Sequence, residues 1–364
     1  MSRGYIGSPH ADITAGVFSI DRHRELIVPN RCIGVQDTGG RGTDGAVLRQ
    51  VMLTGDVTYG HLREVSMPTS YFDAHPSYQF PDWTDASGNV FCTIPRAYWW
   101  RGNMPDVADG TTPRWTMLLS PVPREGFASN PGAFSRSGVW LDQYYYGKYR
   151  GHNAGSSKVG SKAGQTPWGD VSFDNYRTYC SNNGADYHMV SLFEWHEILA
   201  RAVIERKTFQ LVPEASRVTP ALCVYRGIND FAYGPTGASD VRAEWMDGIR
   251  IDASGNYEVW GEAGGTYNVT VIAPPIYSGE STYYGQSILS GGMFDSLFMA
   301  AALGPDTTCM IPDLSGGKPA TNNTGRVCSS NFYAGYGHYG AFSSYFSDLS
   351  SFTSTAIGSR LAKW

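Results

Sequence analysis

The chain has 364 residues and a formal net charge of −5, with 28 Lys and Arg against 33 Asp and Glu. Charged residues are only 17%, where about 25% is usual, while 43 glycines, 20 prolines and 13% aromatics make a turn-rich chain with much ring surface. That balance gives no electrostatic footprint for nucleic acid or an anionic membrane, and no apolar run approaches the ~18 residues of a membrane span.

The start, Met1 to His10, has no apolar h-region, so synthesis in the cytoplasm without a cleaved leader is expected. Up to about residue 75, the stretches Glu25–Val28, Cys32–Val35 and Ala46–Leu53 are short, apolar and broken by glycine. They read as a small β-rich N-terminal region (1–75) ahead of a larger domain (76–364). Gly40 to Gly45 fits the spacing G-x-G-x-x-G of a dinucleotide cradle, but no convincing βαβ unit surrounds it, and a mobile turn is expected there. Val90–Trp100 is an aromatic strand pattern whose Pro95 suits an edge or a bulge. Trp115–Ser120 and Val139–Tyr149 read as further strands, and the Gly/Ser/Lys-rich stretch Arg150–Gly169 as a mobile surface loop. A helix is expected over Phe173–Cys180, starting near Asp174. Ser191-Leu192-Phe193-Glu194 is a capping box opening a second helix, with Trp195, Ile198, Leu199, Ala202 and Val203 on one buried stripe. A short helix near Phe294–Leu303 completes an α+β pattern of two main helices and many short, irregular strands.

Little in this pattern carries reaction chemistry. The six cysteines are scattered without a C-x-x-C pair, which argues against a zinc ribbon or a disulfide scaffold and for buried thiols. His188, Glu194, His196 and Glu197 invite a metal reading, but a zincin helix needs H-E-x-x-H and Ala200 stands where the second histidine belongs. Neither a G-x-S-x-G elbow nor a P-loop is present. No catalytic residue, metal or cofactor is expected on these grounds.

The C-terminal stretch is the most informative. Phe332 to Phe352 holds eight aromatics in 21 residues, with five serines and three glycines between them, and Asp348 is the one formal charge between Arg326 and Arg360. Tyr, Ser, Gly and Asn are the vocabulary of antibody paratopes, where rings supply contact area at low entropy cost and small polar groups supply adaptable hydrogen bonds. A buried aromatic core with glycine turns is the alternative, but its many hydroxyls would need buried partners. An open recognition surface accounts for the composition better.

Three segments resemble the formylglycine-generating-enzyme branch of the C-type lectin fold. They are Tyr187–Ala200, similar to its helix; Glu244-Trp245-Met246-Asp247-Gly248-Ile249, similar to its "EWvdG" element; and Ala356–Leu361, similar to its closing "iGFRl" strand with serine for phenylalanine. Phe91–Trp100 and Gly138–Tyr149 resemble segments of viral tail proteins carrying this domain. Within the branch, the chain over Gly88–Trp364 is most similar to the variable proteins of diversity-generating retroelements, phage major tropism determinants among them. The "RGGsW" that opens their variable segment is here Arg326-Val327-Cys328-Ser329-Ser330-Asn331-Phe332, without the glycines or the tryptophan.

The resemblance implies a C-type lectin fold with a variable segment near 329–355 whose side chains form a ligand-binding face. On side-chain type and spacing the expected contact residues are Tyr333, Tyr336, His338, Tyr339, Tyr345, Phe346, Asp348 and Phe352. The implied role is non-enzymatic recognition of a host or target cell-surface protein or glycan, from a virion tail or a cell surface, with several copies on a particle raising avidity. Two alternatives stand beside this reading. A formylglycine-generating type of oxidase relies on a closely spaced cysteine pair, whereas Cys309 and Cys328 lie 19 apart. A calcium-dependent sugar lectin would carry E-P-N or Q-P-D with W-N-D, which are absent.

Overall fold

The computed structural model describes residues 31–42, 45–58, 60–209, 211, 224–229, 231, 243–252, 256–261, 267–271, 284–288, 297–298, 300–304, 325–330, 344–355 and 357–364. Over these residues the fold is mixed α and β, with few helices and many strands in open sheets. One sheet has the order β3-β2-β1-β7-β6, from β1 (Cys32–Gly42), β2 (Gly45–Thr54), β3 (His61–Glu64), β6 (Tyr98–Pro105) and β7 (Pro113–Ser120). Cys32, Ile33 and Val35 are all buried, because β1 lies in the middle of the sheet with both faces covered. Gly34 is required there: a Cβ would come within 2.0 Å of the Met117 carbonyl on β7. Of the stretches expected before residue 75, Cys32–Val35 and Ala46–Leu53 are strand and share their sheet with strands beyond it, while Glu25–Val28 lies outside the described residues.

The glycine run is the far end of the β1–β2 hairpin. Gly42 pairs with Gly45, Gly39 sits at φ +85 where the register shifts, and Arg41 forks onto the Asp37 carboxylate. Two expected strands divide. Val90–Trp100 becomes β5 (Val90–Pro95) in one sheet and β6 in another, because Pro95 ends the first and the chain turns through buried Ala97. Val139–Tyr149 becomes β9 (Val139–Trp140), paired with β8 (Ser135–Arg136), and then β10 (Gln143–Gly147).

The second sheet runs β13-β22-β10-β5-β4, adding β4 (Asp82–Thr84), β13 (Tyr187–Met189) and the C-terminal β22 (Leu361–Lys363). The last strand thus lies inside the sheet, between β13 and β10. A third sheet joins β16 (Tyr267–Val271), β15 (Tyr257–Trp260), β14 (Ala243–Ile251), β19 (Gly325–Ser330) and β20 (Ser344–Leu349), with β21 (Ile357–Gly358) parallel to β14. A separate pair is β17 (Tyr284–Ile288) with β18 (Ala300–Gly304). Ala300–Gly304 is strand where the end of a short helix was expected: its ladder with β17 outweighs the helix propensity of three consecutive alanines.

Four α-helices are present among the described residues: α1 (Thr69–Ala74), α2 (Pro131–Phe134), α3 (Phe173–Ser181) and α4 (Leu192–Arg206). Ser172 caps α3 by accepting from the Asn175 amide, and Phe173, Tyr176 and Cys180 form its buried face. The capping box of α4 closes both ways: Ser191 Oγ accepts from the Glu194 amide, and the Glu194 carboxylate accepts from the Ser191 amide. The expected stripe of Trp195, Ile198, Leu199, Ala202 and Val203 is buried, but burial is not confined to it. Residues 192 to 204 are buried on every side, Glu194, His196, Glu197 and Arg201 included. Pairing makes this tolerable. Arg201 donates to Glu197 Oε1 at 2.6 Å and to the carbonyls of Ser77 and Pro95, and Glu197 also accepts from the Trp99 indole at 2.8 Å.

Arg150–Gly169 is also more built than a loop. It holds the hairpin of β11 (His152–Asn153) and β12 (Val159–Gly160), and Arg150, Gly151, His152 and Ser161 are buried. The ties are polar. Ser161 Oγ donates to the Val90 carbonyl at 2.8 Å and accepts from the Tyr149 amide, while Asn89 Oδ1 accepts from the Ser161 amide. Apolar patterning does not register such anchors. Of the cysteines, Cys32, Cys92 and Cys180 are free and buried, and burial pushes the first two up to about 12, so these thiols stay protonated. Cys223 and Cys309 lie outside the described residues.

Candidate functional site

The platform for the C-terminal segment starts at β14. Trp245 is fully buried, its indole N–H donating to the Val171 carbonyl at 3.0 Å. Ser359 Oγ donates to the Trp245 carbonyl at 2.7 Å, and the Ser359 carbonyl accepts from the Tyr176 hydroxyl at 3.1 Å. Glu244 and Arg360, both wholly buried, meet at 2.9 Å, with Arg150 Nε 3.5 Å from the same carboxylate. The Asp247 amide donates to the Val190 carbonyl just before α4. The helix start, the Glu-Trp-Met-Asp-Gly element and the closing strand, far apart in sequence, are therefore directly bonded to one another.

From this platform the chain runs out along β19 and back along β20, with Cys328 opposite Tyr345 and Arg326 opposite Asp348. Of the expected contact residues, Tyr345, Phe346 and Asp348 lie on β20. Tyr333, Tyr336, His338 and Tyr339 lie outside the described residues. Phe352 is 44% exposed, flanked by exposed Ser351 and Thr353.

Below this exposed turn several contacts run from main chain to main chain. The Asp170 amide donates to the Ser354 carbonyl at 2.7 Å, the Asp174 amide to the Ser350 carbonyl at 3.3 Å, and the Ile357 amide to the Ser354 carbonyl at 3.1 Å. Gly169 permits this approach, since a Cβ there would meet the Thr355 carbonyl at 2.2 Å. Ser350 also takes part through its side chain, its hydroxyl donating to Asp174 at 2.6 Å. The path of the chain is set without using the side chains of residues 351 to 353.

The ionisable groups that invited a metal reading point elsewhere. His188 Nε2 and Glu194 Oε1 meet at 2.7 Å, and the same carboxylate meets Arg136 at 3.3 Å. Burial works against the Glu194 charge, but His188, Arg136 and the Ser191 amide hold its carboxyl below the ordinary value. Burial pulls His188 down against the opposing pull of the Glu194 carboxylate beside it. His196 Nδ1 instead accepts from the Phe298 amide at 3.0 Å, and burial lowers it to about 3. Among the described residues no three His, Cys, Asp or Glu side chains are grouped to hold a metal ion.

One recess was not legible in the sequence. A cleft of about 390 Å³ lies between α3 and the C-terminal residue, lined by Arg177, Thr178, Ser181, Asp247, Trp260 and Trp364 among others. Its residues come from four distant segments, and no motif or spacing links them. No family model matches the chain, and no curated protein matches it closely enough to count as a relative. No helix among the described residues is long and apolar enough to cross a membrane.

Proposed function

We propose that this chain is a non-enzymatic target-binding protein of the kind formed by variable proteins of diversity-generating retroelements. A C-type lectin scaffold displays a replaceable aromatic and serine surface, near 329–355, to a host or target cell-surface protein or glycan. Such a protein would sit on a virion tail or a cell surface. Two observations support this reading. The three motifs behind the lectin resemblance are bonded to one another, as parts of one scaffold must be. The observation that carries most weight is the main-chain anchoring of residues 350 to 355 beneath exposed Ser351, Phe352 and Thr353. A recognition segment that must accept many side chains needs its course fixed by groups every residue has. The buried carboxylates Glu244, Glu197 and Glu194 are meanwhile each paired with an arginine, as in structural networks.

The test replaces Tyr333, Tyr336, Tyr339 and Phe352 together by serine. Unfolding free energy is expected to change by under about 1 kcal/mol in total, since exposed substitutions act weakly. Binding to intact cells on a panel of candidate hosts is expected to fall at least tenfold, because a central aromatic anchor is typically worth ~2 kcal/mol or more. Collapse of stability would show these rings to be core, and unchanged binding to a cell that the parent recognises would remove them from the contact surface. Either result ends the reading.

A further inference from the structure

Both ends of the exposed turn are held by one short loop, Gly169 to Asp174, which leads into α3 and lies outside the displayed segment. At the far end the Asp170 amide donates to the Ser354 carbonyl at 2.7 Å. At the near end Asp174 binds Ser350 twice. Its amide donates to the Ser350 carbonyl at 3.3 Å, and its carboxylate accepts from the Ser350 hydroxyl at 2.6 Å. First-turn amides of a helix have no partner within it, so the Asp174 amide can serve in this way. Between the two clamps Ser351, Phe352 and Thr353 stand exposed.

The loop is itself fixed on both sides. Upstream, the Trp168 amide donates to the Gly151 carbonyl at 2.8 Å, and the Trp168 ring stacks on Tyr179 of α3 with centroids 5.3 Å apart. Downstream, Val171 and Phe173 are buried, the Val171 carbonyl accepts from the Trp245 indole at 3.0 Å, and Ser172 caps α3. Asp170, between these anchors, is in the left-handed region at φ 59. A residue other than glycine keeps that conformation only where its surroundings over-determine it, and here it belongs to the amide that holds Ser354.

Gly169 sets the spacing. A Cβ there would meet three main-chain atoms of Thr355: the carbonyl oxygen at 2.2 Å, the carbonyl carbon at 2.8 Å and Cα at 3.1 Å. No side-chain rotation relieves a clash with main chain. The loop is tied at Trp168 and Val171, and β21 beyond the turn is paired with β14, so the displacement would fall on residues 350 to 355. None of these contacts uses a side chain of residues 351 to 353, so the clamp works alike whatever stands there.

We propose that Gly169, Asp170 and Asp174 are positioning residues of the recognition surface. They fix where Ser351, Phe352 and Thr353 stand, and so help decide which targets a displayed sequence fits. This rests on reading residues 350–355 as part of that surface. Chymotrypsin, which cuts after exposed phenylalanine, is the probe, with the full chain under native conditions. The rate of cleavage between Phe352 and Thr353 is followed by mass spectrometry beside the urea unfolding midpoint. Gly169→Ala is expected to speed this cleavage about tenfold or more, with cuts elsewhere and the midpoint nearly unchanged. Asp174→Ala should also speed it. Asp174→Asn, which keeps an acceptor for the Ser350 hydroxyl, should speed it less, and this pair carries the test if Gly169→Ala does not fold. Three results would overturn the proposal: parent-like cleavage in both Gly169→Ala and Asp174→Ala, a parent turn cut as fast as the unfolded chain, or acceleration at every site in step with lost stability. Cell binding then separates the two readings. A variant with a displaced turn should bind a cell that the parent recognises about tenfold more weakly or worse, although residues 329–355 are unchanged. Faster cleavage with unchanged binding would keep the clamp but take the turn out of the contact surface, a failure of the recognition reading and not of positioning.

Discussion

Glu244 and Arg360 are both without solvent contact, so each depends on the other to offset the cost of leaving water. The dependence is not symmetrical. Glu244 also faces the buried Arg150 at 3.5 Å, and Arg360 also donates to the Gly147 carbonyl and lies over the Tyr146 ring. Glu244→Gln therefore strips two buried guanidinium groups of their counter-charge, whereas Arg360→Met leaves Glu244 with Arg150. Breaking such a pair costs roughly 3–5 kcal/mol, and Glu244→Gln should fall at the upper end with Arg360→Met below it. Urea denaturation of the two variants gives the order directly. The reverse order would mean that Arg150 contributes nothing to the balance.

Among the elements, α4 shows both what a sequence pattern reveals and where it stops. Its start could be read from Ser191 and Glu194 alone, because a capping box is a local rule. Its burial on all sides could not, since Glu197 and Arg201 are made compatible with the interior by Trp99, Ser77 and Pro95, roughly a hundred residues away in sequence. The same cause explains Arg150–Gly169, which looked like open loop until Ser161 and Asn89 tied it down. The end of α4 offers a test. Lys207 follows the helix in the left-handed region at φ 57, exposed, with its amide donating to the Val203 carbonyl. Glycine adopts that conformation without a Cβ penalty, although it gives up some entropy in the unfolded chain. Lys207→Gly should stabilise by up to about 1 kcal/mol, read as a raised denaturation midpoint. A loss of stability would mean that the lysine side chain supports the helix end in a way its geometry does not show.

At the scale of the whole molecule, the part of the candidate site that sequence could indicate was composition: rings, serines and glycines concentrated near the C-terminus. How main chain holds that segment beside α3, and that a cleft lies along the same helix, depend on the tertiary meeting of β14, α3 and β22. That interior also sets a pH limit. His75 Nδ1 accepts from the Ser77 amide at 3.3 Å while Nε2 faces the Arg31 carbonyl at 3.1 Å, and His196 Nδ1 accepts from the Phe298 amide. Both rings must be neutral to accept. Burial, helped by nearby Arg201 for His75 and Arg101 for His196, lowers them from 6.5 to about 4 and about 3. Because the folded values lie below the unfolded one, the unfolded chain binds more protons once the pH drops under about 6.5. Stability is thus complete above that pH and declines as the pH falls toward 4, by up to ~1.4 kcal/mol per histidine for each pH unit. Chemical denaturation at pH 7.5, 6.0 and 5.0 should show the midpoint falling, before most carboxylates begin to titrate. His75→Gln with His196→Gln should start lower and fall less steeply over the same range. A parent midpoint that stays level from pH 7.5 to 5.0 would mean that these imidazoles take up protons in the folded state, and that the interior around α4 admits water.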